Sequence, residues 1–75
     1  MYLKENIDIV DFLNTAQKCT GETFFKTAEG DVLNIKSQLS RYLFLAASKD
    51  ARMILDGQVV CSLAADEDLL KPFCK

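Results

Sequence analysis

The stretch ARMILDGQVVCSL, residues 51–63, decides the fold, because its two readings build two different sheets. In the first, Ala51–Leu55 is a strand with Met53 and Leu55 on one side. Val59, Val60, Leu63, Leu70 and Phe73 then recur at helical spacing, Ala64-Ala65 and Leu69-Leu70 favour helix, and Pro72 ends it. In the second, Asp56-Gly57 is the two-residue turn of a hairpin between RMIL and QVVCSL, followed only by a short helix over residues 66–71. The first reading is preferred. It places Val59, Val60 and Cys61, all poor helix formers, in the first turns of a helix. Whether residues 58–65 are helix or strand therefore stays open.

Working back from this stretch, Ser48-Lys49-Asp50 closes a helix in which Leu39, Tyr42, Leu43 and Ala46 recur at three- and four-residue spacing. Phe44 and Leu45 add a second apolar edge, and Ser37 stands where an N-cap belongs. Upstream, Glu22–Thr27 and Asp31–Lys36 are β-rich runs around Ala28-Glu29-Gly30, a loop suited to a hairpin. Ile9, Val10, Phe12, Leu13, Ala16 and Cys19 form a further helical stripe, capped by Asn6 or Asp8 and ended at Thr20-Gly21 by a left-handed glycine. Met1–Glu5 reads as a brief first strand. The order is βαββαβα, an α+β class with hairpin-linked antiparallel strands and helices on one face.

Composition bounds the rest. With 75 residues, 49% hydrophobic and 27% charged, the chain reads as one folded domain near the lower size limit for an unstapled core. Nine basic against eleven acidic residues, with no basic run, argue against nucleic acid. No stretch approaches the length of a membrane span, and the N-terminus lacks a secretory pattern, so a cytoplasmic location is expected. Cys19, Cys61 and Cys74 are widely spaced and there is no histidine, so neither a disulfide framework nor a metal site is expected. They read as small hydrophobes, with Cys74 the thiol closest to a free end.

Asn34-Ile35-Lys36-Ser37 opening the second helix, with Leu39 and Phe44-Leu45 after it, resembles a segment of HPr, the histidine-containing phosphocarrier of the bacterial sugar phosphotransferase system. Phe12-Leu13 with Ala16 and Lys18 is similar to that family's first helix. Met53-Ile54-Leu55-Asp56-Gly57 is similar to its fourth strand and turn. The resemblance implies an open-faced β-sandwich, with a four-stranded antiparallel sheet covered by three helices. The family's phosphoryl-accepting histidine has no counterpart: Glu5, Asn6 and Asp8 stand at that junction, leaving the phosphotransfer loop vacant. Glu5 or Asp8 could accept phosphate only as a mixed anhydride, and the plainer role of such residues is helix capping.

The resemblance thus implies a non-catalytic, HPr-like binding or regulatory protein, not an enzyme and without cofactor. Its alternative is a homo-oligomeric or decoy domain competing for phosphotransferase partners. Ser37 matches the family's regulatory phosphorylation site, and it is equally apt as a plain helix cap. Leu39, Arg41, Tyr42, Phe44 and Leu45 are the candidate partner-binding residues of this helix, since Leu39, Tyr42, Leu43, Phe44 and Leu45 supply more apolar side chains than one buried stripe needs. The partner expected is a protein: a phosphotransferase component, a transcriptional regulator or a second copy.

Overall fold

In a computed structural model that describes residues 1–75, β1 (Thr23–Lys26) is the middle strand of a three-stranded antiparallel sheet. β2 (Val32–Asn34) lies on one side and β3 (Gln58–Cys61) on the other. Phe25 stands opposite Leu33 and Val59, and Phe24 opposite Asn34 and Val60. Strand alternation therefore turns Thr23, Phe25 and Val59 into the core, where all three are buried. Phe24, Lys26, Val60 and Gln58 take the other, open face. The β1–β2 hairpin closes where the Ala28-Glu29-Gly30 loop predicts it. The Thr27 N–H donates to the Asp31 carbonyl at 2.8 Å, the Asp31 N–H donates to the Thr27 hydroxyl at 3.0 Å, and Gly30 turns the chain at φ +99.

Four short helices cover the inner face: α1 (Ile9–Ala16), α2 (Gln38–Ala47), α3 (Ala51–Asp56) and α4 (Glu67–Leu70). α1 begins at Asp8, whose carboxylate accepts the Asp11 N–H at 3.1 Å, and it buries Phe12, Leu13 and Ala16. The core is stitched by a run of aromatic rings. Phe73 packs on Phe12 at 5.6 Å between centroids, Phe12 on Phe44 at 5.9 Å, and Phe44 edge-on to Phe25 at 4.8 Å. These tilted contacts tie the C-terminal segment, α1, α2 and the sheet together.

The four-stranded sandwich with three helices is overturned at residues 51–73. Ala51–Asp56 is a helix, started by Asp50, whose carboxylate accepts the Arg52 N–H at 3.0 Å, and it points Ile54 into the core. A strand would place Met53 and Leu55 together on one side; in the helix both are half-buried beside the buried Ile54. Gln58–Cys61 is instead the third strand, as the β-branched Val59 and Val60 prefer. No single helix spans residues 59–73. A 3₁₀ turn at Ala64–Asp66, α4 and a second 3₁₀ turn at Lys71–Phe73 replace it. The Asp56-Gly57 hairpin fails as well, since RMIL is not a strand. Gly57 keeps an ordinary φ of −84, and its missing side chain makes room for the Phe25 ring.

Two smaller corrections concern the N-terminal part. Met1–Glu5 is not a full strand: Tyr2 bridges to Gln58 and the buried Leu3 bridges to Cys74, wedging the segment between β3 and the C-terminal residues. α1 stops at Ala16 rather than at Thr20-Gly21, and Gly21 is not left-handed. A Cβ there would collide with the Ser62 hydroxyl and lie 2.8 Å from Leu63 Cγ, so Gly21 answers a close crossing of the β3 exit. The loop it occupies is pinned from both sides. Asp66 accepts the Gly21 N–H at 2.8 Å and the Thr20 N–H at 3.0 Å, while the Lys36 ammonium donates to the Cys19 and Gly21 carbonyls. Those donated N–H bonds, first from Gly21 and then from Thr20, hold the Asp66 carboxyl below its ordinary range.

Candidate interaction surface

α2 is amphipathic the wrong way round for a helix whose apolar stripe feeds the core. Its only buried residue is Phe44. The stripe Leu39, Tyr42, Leu43 and Ala46 faces solvent, with Leu39 69%, Tyr42 73% and Leu43 49% exposed, and Leu45 on its flank is 42% exposed. Ser40 and Arg41, by contrast, are half-buried on the side of Phe44. Arg41 tucks its Nε out of solvent with no hydrogen-bond partner. The outer face of α2 is thus apolar and carries no charge, because the helix's one charged residue, Arg41, lies on the Phe44 side.

Of the candidate partner-binding residues, Leu39, Tyr42 and Leu45 lie on this outer face, whereas Phe44 and Arg41 do not. Leu43, one of the helix's surplus apolar side chains, belongs to the surface as well. Spacing located the stripe correctly. It could not say which way the stripe points, since three- and four-residue periodicity reads the same whichever face is outward. The polar pair Ser40-Arg41 lies on the same side as Phe44, so the helix's own pattern points the wrong way, and only the contacts of Phe44 with Phe12 and Phe25 identify the buried face.

Beside the α2 face runs a groove of about 810 Å³ between the β1–β2 hairpin and the α2–α3 corner. Val32, Leu33, Leu43 and Met53 give it an apolar lining. Glu29, Asp31, Asp50 and Asp56 stand along it against a single cation, Arg52. Sequence reading did not find this site, because its residues come from the hairpin, the helix corner and α3, and α3 had been read as a strand.

Ser37 occupies the N-cap position of α2 with extended backbone, but its side chain makes no capping bond. Its N–H donates to the Asn34 carbonyl and its carbonyl accepts the Arg41 N–H, both at 2.9 Å. Glu5 and Asn6 line a separate cavity of about 390 Å³ with Lys4, Ile7, Ser48 and Ile54. Asn6 takes a left-handed φ of 59, a conformation asparagine tolerates better than most residues. Asp8 is no part of that cavity and is engaged as the α1 cap.

The three cysteines are free thiols. Cys19 is buried. Burial pushes the Cys61 thiol up, as does neighbouring Cys19. The Thr23 hydroxyl opposite it is buried and has no hydrogen-bond partner. Burial also raises the Cys74 thiol. A raised thiol pKa disfavours the nucleophilic thiolate at both positions.

The chain matches no protein-family model, no curated protein and no solved structure. With a helix standing where the fourth strand was expected and strand β3 in place of the last helix, the HPr resemblance is overturned in topology as well as in sequence. The regulatory, decoy and degenerate-active-site readings built on the phosphotransferase system fall with it.

Proposed function

We propose that this domain acts by binding rather than by catalysis, as a homodimeric interaction module joined through the outer face of α2. The carrying observation is the outward stripe Leu39-Tyr42-Leu43-Ala46 on a helix whose one charge is turned away. Two further features favour a second copy as its occupant. The face carries no charge, so apposing it with itself brings no like-charge pairs together, and a two-fold interface needs just such self-complementarity. The protomer is also short of core: 14 of its 75 residues are buried, and small domains commonly complete their apolar burial by oligomerising. No helix is long and apolar enough to cross a membrane. The free thiols are consistent with a reducing, cytoplasmic setting.

Light scattering across a concentration series tests the reading. A mass of two chains is expected for the wild type, and Tyr42→Glu should weaken dimerisation about thirtyfold or more by forcing a carboxylate into the apolar centre. A wild type that stays monomeric at millimolar concentration, or a Tyr42→Glu variant that dimerises as well as the wild type, would overturn it.

A further inference from the structure

We infer that the groove between the β1–β2 hairpin and the α2–α3 corner is a second binding site, and that its occupant is a basic amphipathic segment of a partner protein. This goes beyond dimerisation, and of the α2 stripe only Leu43 also borders the groove. The lining from Val32, Leu33 and Met53 is apolar, and Val32 is more than half exposed although it sits in a strand. Such a floor accepts one apolar face of a short helix or extended segment.

The rim supplies the selectivity. Four carboxylates face one guanidinium, so this one rim carries more net negative charge than the whole chain, whose formal charge is −2. The only ion pair in the molecule, Lys71 with Asp68, lies on α4 and its following turn, so Glu29, Asp31 and Asp56 are not neutralised within the fold. Asp50 is partly engaged as the α3 cap. Three free carboxylates around an apolar floor complement a segment with leucine-like side chains on one face and lysine or arginine on its flanks. They disfavour an acidic segment by like-charge repulsion.

The probe is a synthetic Leu/Lys amphipathic helix of about four turns, titrated into isotope-labelled protein and followed by amide chemical shifts. Shifts centred on Val32, Leu33 and Met53, which lie outside the α2 stripe, are expected, with affinity falling as salt is added. The triple variant Glu29→Gln/Asp31→Asn/Asp56→Asn should bind about tenfold more weakly, and Arg52→Glu more tightly. None of the three altered side chains makes a hydrogen bond in the fold, so the triple variant retains its structure and its spectrum checks that directly. A Leu/Glu peptide of the same pattern should fail to bind. Spermine, which has charge but no apolar face, should compete poorly. The inference is wrong if the triple variant binds the Leu/Lys peptide as well as the wild type does, if spermine binds as tightly as the peptide, or if the shifts centre elsewhere. Repeating the titration in Tyr42→Glu separates the two proposals: the groove should bind the peptide whether or not the α2 face dimerises.

Discussion

A Cβ at Gly57 would overlap the Phe25 ring and lie 2.5 Å from its Cε2. The ring is fully buried and cannot retreat, so Gly57→Ala should destabilise the fold by about 2–3 kcal/mol in chemical denaturation. Gly21→Ala should cost less, since its nearest obstacles are the exposed side chains of Ser62 and Leu63, which can turn aside at the loss of the Ser62 hydroxyl's bond from the Glu22 N–H. Equal costs at the two positions would contradict this difference in what each glycine faces. Asp66 gives a pH signature. Its folded-state pKa lies below the ordinary 3.8, so its contribution to stability is present above that value and is lost as pH falls through the folded pKa. Urea denaturation of Asp66→Asn should show a flatter fall in stability below about pH 4 than the wild type; parallel curves would show that the bonds to Gly21 and Thr20 do not act this way. The raised Cys61 and Cys74 thiols, with Cys19 buried, should be alkylated at neutral pH much more slowly in the folded than in the urea-unfolded chain. Equal rates would contradict their burial.

Helices and strands differ in how far their residues announced them. α1 and the β1–β2 hairpin were legible, because a cap at Asp8 and a glycine loop at residues 28–30 agree with the hydrophobic period on either side. Residues 51–61 were not, because six residues are too few for periodicity to separate helix from strand. What would have decided them is the Asp50 cap before Ala51 and the poor helix propensity of Val59-Val60-Cys61, both local signals that point to the observed structure. Nothing local announces the role of Asp66, which depends on Thr20 and Gly21, more than forty residues away. The capping chemistry also yields a contrast. Asp8→Ala should lower stability by about 1 kcal/mol, whereas Ser37→Ala should change it by less than about 0.5 kcal/mol, because the Ser37 hydroxyl makes no capping bond. Comparable losses in thermal or urea melts would show that Ser37 caps α2 in solution. α2 itself hangs on Phe44, and Phe44→Ala should cost about 3–5 kcal/mol by removing the ring between Phe12 and Phe25.

At the scale of the whole molecule, the sheet, its four helices and the aromatic run leave a large apolar face uncovered. A standard interface of ~800 Å² per protomer would occupy roughly a sixth of the 4686 Å² surface. The outer face of α2, extended by its neighbours, is the part whose chemistry suits that burial. The acidic groove on its flank would then be presented twice by the dimer, and a partner carrying two basic segments would gain from engaging both. Dimerisation through α2 is the claim on which this arrangement rests. The most direct measurement is an isotope-filtered NOE experiment on an equimolar mixture of labelled and unlabelled chains, which sees only contacts between copies. Cross-peaks from the Tyr42 ring of one copy to the Leu39, Leu43 and Ala46 methyls of the other are expected. Intermolecular cross-peaks confined to another surface, or none at millimolar concentration, would contradict it.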